Sequence, residues 1–104
     1  MDASTFDLLP IIVCEVAPVR DEAGEIIDFE WTGANSLMQK SILPEGGSVL
    51  GMRIFEFDPA YRDSEMVRNV RKVLNTGETV AFTTSQGRAV KMLSKVMRTV
   101  VIPN

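Results

Sequence analysis

The chain is predicted to fold as a single α+β domain, with an antiparallel sheet made from segments at both ends and helices between them packed on one face. Three observations predict it. Residues 11–19 and 26–32 carry β-branched and alternating apolar residues around a polar, glycine-containing turn. Residues 63–75 hold the strongest helical repeat. Residues 79–85 and 88–102 return to extended patterning. Strands grouped at the ends of a chain, with helices in the middle, leave the helices together on one sheet face.

Each element follows from its residues. Before Pro10, Ser4 can cap a single helical turn carrying Phe6, Leu8 and Leu9. In residues 11–19, Ile12, Cys14 and Val16 share one face; Val13, Glu15 and Ala17 share the other. Pro18 points to an edge strand or a strand end. Residues 20–25 form a polar turn in which Gly24 supplies a positive φ. In residues 26–32, Ile27, Phe29 and Trp31 are expected inward, and Asp28, Glu30 and Thr32 outward.

Asn35 is a helix cap for a short helix with an apolar stripe of Leu37, Met38 and Ile42. Residues 43–48 hold proline and two glycines and read as a loop. Met52, Ile54, Phe55 and Phe57 fit one or two helical turns. From 63 to 75, Met66, Val67, Val70, Val73 and Leu74 form one buried stripe, with Arg68, Asn69, Arg71 and Lys72 opposite. Asp63 or Ser64 caps its start, and Gly77 supplies a left-handed exit. Residues 79–85 are a strand. The segment from Arg88 to Ile102 reads as one long extended stretch, with Val90, Met92, Ser94 and Val96 on one face and Lys91, Leu93, Lys95 and Met97 on the other.

Composition excludes several function classes. With 104 residues, 45% of them hydrophobic, the chain buries roughly two-thirds of its unfolded surface and needs no metal or disulfide to fold. A net charge of -3 lacks the basic footprint of a nucleic-acid binder. The longest apolar run, Leu8 to Cys14, is broken by Pro10 and falls far short of the ~20 residues of a membrane-spanning helix. The absence of histidine removes histidine-based nucleophile systems and the usual zinc sites. The single cysteine, Cys14, excludes an internal disulfide and fits a reducing, cytoplasmic compartment.

The order of elements, together with three segments, resembles the PAS domain family over about Phe6 to Asn104. The hairpin from Ile11 to Asn35 looks like the first two PAS strands entering the first helix, with Trp31, Ala34 and Asn35 as the aromatic, small residue and asparagine found there in many members. GMRIFEFDP looks like the family's Gly-x-x-apolar-x-apolar-x-x-Pro segment. MVRNVRKVLNTGETVAF looks like its long helix closing with Thr-Gly-Glu before the third strand. A complete PAS sheet has five strands. No turn residue interrupts Lys91 to Ile102, so the fifth strand is expected to be missing and residues 1–104 to be one PAS-like module from a longer signalling chain.

The resemblance implies a non-catalytic sensory or protein-interaction module of bacterial-type signal transduction. Such a module holds a small ligand between sheet and helices and passes a conformational bias to an effector domain of the same chain. Haem-binding members use an axial histidine, and none is present. Flavin photosensors carry an Asn-Cys-Arg-Phe-Leu-like motif, which is also missing. No cofactor is therefore expected, and the ligand is an unidentified small molecule.

Candidate pocket residues are Cys14, Trp31, Asn35, Met92 and Ser94. Each has a plainer reading. Cys14 is a small buried residue before it is a redox sensor. Trp31 fills the core before it stacks on a ligand. Asn35 caps a helix before it bonds a ligand. Ser94 satisfies backbone or water as readily as a ligand. Met38, Met52, Met66 and Met92 all fall on faces expected to be buried, and suit an adaptable core. Asp58, Asp63 and Glu65 cluster as a solvated helix start, not as a metal site. Val13, Leu93 and Met97, on the outer sheet face, are the expected homodimer contact.

Two other functions compete. A small isomerase or dehydratase with a conical pocket needs a poised internal acid or base. Its candidates Glu15, Asp28 and Glu30 are expected outward. A structural interaction domain without a ligand differs from a sensor only in cavity volume.

Overall fold

The computed structural model describes residues 11–84, 87–93 and 98–102. The expected helical turn before Pro10 lies outside them. The elements are β1 (Ile12–Arg20), β2 (Ile26–Ala34), α1 (Ser36–Ile42), α2 (Ile54–Phe57), a 3-10 helix (Pro59–Asp63), α3 (Glu65–Thr76), β3 (Val80–Thr83), β4 (Ala89–Leu93) and β5 (Arg98–Ile102). The five strands form one antiparallel sheet in the order β2-β1-β5-β4-β3. The α+β class is as expected.

The expected loss of the fifth strand is wrong. Residues 89–102 are two antiparallel strands, with Ala89 opposite Ile102 and Leu93 opposite Arg98. β5 then inserts beside β1, Val13 facing Val100 and Cys14 facing Thr99. The sequence hid the reversal because residues 94–97, Ser-Lys-Val-Met, contain no glycine, proline, asparagine or aspartate. The reversal also changes which residues face inward, from Val90 and Met92 in β4 to Thr99 and Val101 in β5.

β1 and β2 are joined by the expected polar turn. Asp21 organises it: its Oδ1 accepts from the N–H groups of Ala23 and Glu25, and Gly24 sits at φ 84°. The alternation in β2 is interrupted twice. Val19 faces Asp28 but Arg20 faces Ile26, so Ile27 has no opposite number; Glu15 faces Gly33 but Val16 faces Trp31, which skips Thr32. These bulges turn residues out of the ladder. Ile27, expected inward, is 45% exposed, while Phe29 and Trp31 stay buried. Asp28, expected outward, is 5% exposed.

The outer edge of β2 is closed by the chain itself. Trp31 N–H donates to the Met52 carbonyl and Gly51 N–H to the Trp31 carbonyl, at 3.1 and 2.9 Å. Gly51 takes φ 85°, open to glycine at little cost. This contact leads straight into α2. Arg53, at the α2 N-cap position, makes no side-chain capping bond. Asp28 does the capping from β2 instead: its Oδ1 accepts from Phe55 N–H at 2.9 Å and from Phe29 N–H at 2.7 Å.

α3 matches its sequence signals. Ser64 Oγ accepts from Val67 N–H at 3.2 Å, and Gly77 ends the helix at φ 70°. Val67, Val70 and Val73 are buried, with Met66 and Leu74 partly buried beside them. Each fully buried valine contributes about 1.5 kcal/mol or more. Phe29 and Phe55 meet edge-to-face at 5.9 Å, and the Arg71 guanidinium lies 5.6 Å from the Phe29 ring. Trp31 and Val70 belong to one core.

Candidate functional site

Between the inner sheet face and the helices lies a cavity of about 510 Å³. Its floor is a cross-strand row. Met92, Thr99 and Cys14 are neighbours on β4, β5 and β1, with Val101 and Ile12 beside them. Val16 and the rings of Phe29 and Trp31 continue the floor across β1 and β2. Met38 and Ile42 of α1 and Val67 and Val70 of α3 face them. The side chains that form this lining follow from the strand and helix periods already described.

Polar groups are few and separated by depth. Cys14, Tyr61 and Thr99 bring a thiol and two hydroxyls to the lining. The exposed Ser41 and Arg88 and the half-buried Ser64, Glu65 and Thr84 also line it. Burial pushes the Cys14 thiol up from its ordinary 9.0 to about 12, and the Glu15 charge adds to the rise. Tyr61 is raised too, first by burial, then by the charge of Asp58 and by Cys14. Both groups are therefore neutral at ordinary pH, and the interior disfavours charge. At ordinary pH Cys14 therefore meets the cavity as a protonated, weakly reactive thiol.

Of the expected pocket residues, Cys14, Trp31 and Met92 are brought together on the cavity wall. Asn35 is not. It is 1% exposed and tied to backbone: its Oδ1 accepts from Val13 N–H (3.1 Å) and Met38 N–H (3.0 Å), and its Nδ2 donates to the Ile11 carbonyl (2.7 Å). The cap reading of Asn35 holds, and the pocket reading does not. Ser94 lies outside the described residues.

The expected dimer contact changes as well. Val13 is fully buried, so it offers no surface to a partner. The alternation rule placed it on the correct face but said nothing of what covers that face. Met97 and the side chain of Leu93 lie outside the described residues. On the same face as Val13, Glu15 Oε1 pairs with Arg98 Nη2 at 2.8 Å, the arginine nearly buried and the glutamate at the margin.

Tyr61, Thr99 and Arg88 line the cavity without having been expected there. Thr99 was hidden by the unseen reversal before β5. Tyr61 follows a proline in a 3-10 helix, where no simple period applies. Arg88 carried no distinguishing signal beyond its place after a glycine.

Among the described residues, no group of three or more His, Cys, Asp and Glu is placed to hold a metal ion. The buried carboxylate of Asp28 is committed to two backbone amides and is not part of the lining. No described helix is long and apolar enough to cross a membrane. No protein-family model matches the chain, and no curated protein or solved structure matches it.

Proposed function

We propose that this chain is a PAS-like sensory or interaction module that binds a small molecule and has no catalytic activity. The observation that carries this reading is the 510 Å³ cavity, apolar inside and polar where it meets solvent, between the sheet and α1 and α3. Five antiparallel strands, with the helices between β2 and β3, are also what the family resemblance implies. The mechanism is a shift of population: a ligand favours one packing of α1 and α3 on the sheet. β1 and β5 lie side by side at the centre of the sheet, so both ends of the described chain share one mechanical unit with the cavity floor. An effector domain of the same chain then receives the bias, in the cytoplasm and without nucleic acid.

Homodimerisation through the outer sheet face belongs to this reading, with Leu93 and Met97 as the contacts expected from the sequence, since Val13 is buried. Sedimentation tests it. A strict monomer at high concentration, or a dimer unchanged by Leu93→Asp, retires that surface.

Native mass spectrometry of protein purified from its own host tests ligand binding. A retained small molecule supports the sensor. A bare chain that also takes up no apolar probe supports a purely structural interaction domain. Among the described residues the enzyme reading finds one carboxylate in the lining, Glu65, and it sits in the first turn of α3 rather than deep in the cavity.

A further inference from the structure

We infer that the cavity selects a free monocarboxylic acid, whose alkyl or aryl body lies against Trp31, Val70 and Met92 and whose carboxylate pairs with Arg88 at the mouth. The inference rests on the proposed reading of the cavity as a ligand site, and adds the chemistry of the ligand.

Three features carry it. First, the deep lining presents side chains that are apolar or neutral, so the enclosed part of a ligand is uncharged. The upward displacement of both the Cys14 thiol and the Tyr61 phenol reports the same hostility to charge. Second, among the described residues the lining has two formally charged side chains, Glu65 and Arg88. Glu65 already has an interaction of its own and sits where the helix dipole favours an anion. The Arg88 guanidinium has no hydrogen bond or ion pair within the described residues. Third, the backbone of Arg88 is fixed. Its N–H donates to Thr84 Oγ1 at 3.1 Å, and its carbonyl accepts from Thr84 N–H at 2.8 Å. The cation is thus presented from a closed hairpin end, which lines the cavity together with Ser64 and Glu65 at the start of α3. A guanidinium meets a carboxylate through two parallel N–H donors, a geometry an alcohol or an ester does not match. A dicarboxylate would bring a second charge, and among the described residues the lining holds no second cation to receive it.

Trp31 is the single tryptophan and lines the cavity, so its emission reports occupancy directly. The experiment titrates the full chain with decanoate, methyl decanoate, decanol and decylamine below their aggregation limits. Decanoate is expected to shift Trp31 emission with affinity about tenfold or more above that of decanol and the methyl ester. Arg88→Gln is expected to remove that advantage and leave decanol binding unchanged. Equal binding of acid and alcohol, or decanoate binding untouched by Arg88→Gln, overturns carboxylate selection while leaving the cavity a ligand site. Tightest binding by decylamine also overturns it, in favour of Glu65 as the selecting charge. Failure of all four probes with the protein folded overturns both this inference and the ligand-binding reading beneath it.

Discussion

Asn35 and Val13 are joined by two hydrogen bonds in opposite directions: Val13 N–H donates to Asn35 Oδ1 at 3.1 Å, and Asn35 N–H donates to the Val13 carbonyl at 3.0 Å. The same side chain caps α1 through Met38 N–H and holds the Ile11 carbonyl. One residue therefore fixes the first helix, which bears Met38, Ser41 and Ile42 of the cavity lining, to a central strand of the sheet. α1 itself has no buried residue, so this tether matters more than its packing.

Asn35→Ala is expected to destabilise the fold by about 3 kcal/mol, because a helix cap is lost and buried backbone groups are left without partners. Asn35→Asp keeps the cap oxygen but loses the donor to Ile11 and buries a charge, so it rescues little. Urea denaturation read by far-UV circular dichroism measures both. A loss below about 1 kcal/mol for the alanine variant would mean that water replaces the whole set of bonds.

Asp28 gives a second expected outcome. Its carboxylate joins β2 to α2 by accepting from Phe55 N–H as well as Phe29 N–H. Asp28→Ala leaves two buried amides unpaired and is expected to cost about 2–4 kcal/mol. Asp28→Asn keeps one acceptor oxygen and is expected to cost less than half as much. Equal losses in the two variants would show that side-chain volume, not the acceptor, is what the site needs.

These two residues mark what a sequence makes legible. The helix period of α3, its Ser64 and Gly77 caps, the Asn35 cap and the hairpin turn at Gly24 are all local, and local rules found them. The inward faces of β1 and β4 also followed from alternation, and Cys14 and Met92 lie on them in the cavity wall. Two kinds of information were not local. A bulge turns a residue out of the ladder without changing composition, so Ile27 was expected inward; Asp28 keeps its place in the ladder, and its burial comes from α2, a partner distant in sequence. A reversal across 94–97, which hold no glycine, proline, asparagine or aspartate, concealed β5 and, with it, Thr99. Arg88 reaches the cavity only because β3 and β4 pair as a hairpin beside α3, a relationship between segments that no single stretch records.

The ion pair on the other sheet face behaves differently from the capping residues. Arg98 is nearly buried and Glu15 reaches it across the β1–β5 ladder at 2.8 Å. Glu15→Ala leaves a buried guanidinium without this partner and is expected to cost about 3 kcal/mol. Replacing both residues by leucine removes the buried charges together and is expected to cost much less than the single change. A double-mutant cycle in denaturant measures the coupling. Additive losses would place the stabilising role of each residue elsewhere than in their contact.

The cavity interior predicts how stability depends on alkaline pH. Burial pushes the folded Cys14 thiol up from its ordinary 9.0 to about 12, and Tyr61 is shifted in the same direction. Both groups are neutral when protonated, so between the unfolded and folded values the native state holds protons that the unfolded chain has released. The contribution of Cys14 to stability is then fully present below about pH 9 and is lost as pH rises toward about 12. The fall from one such group is at most about 1.4 kcal/mol per pH unit. Thermal unfolding from pH 7 to pH 11 should therefore be insensitive to Cys14 at first, then decline. Cys14→Ala should remove part of the decline while lowering stability at neutral pH through lost packing. Adding Tyr61→Phe should flatten the alkaline limb further. At neutral pH, native Cys14 should also react with an aromatic disulfide reagent orders of magnitude more slowly than the unfolded chain, because so little thiolate is present. Fast labelling of the folded protein, or an alkaline limb identical in Cys14→Ala, would show that the thiol is not held in a dry interior.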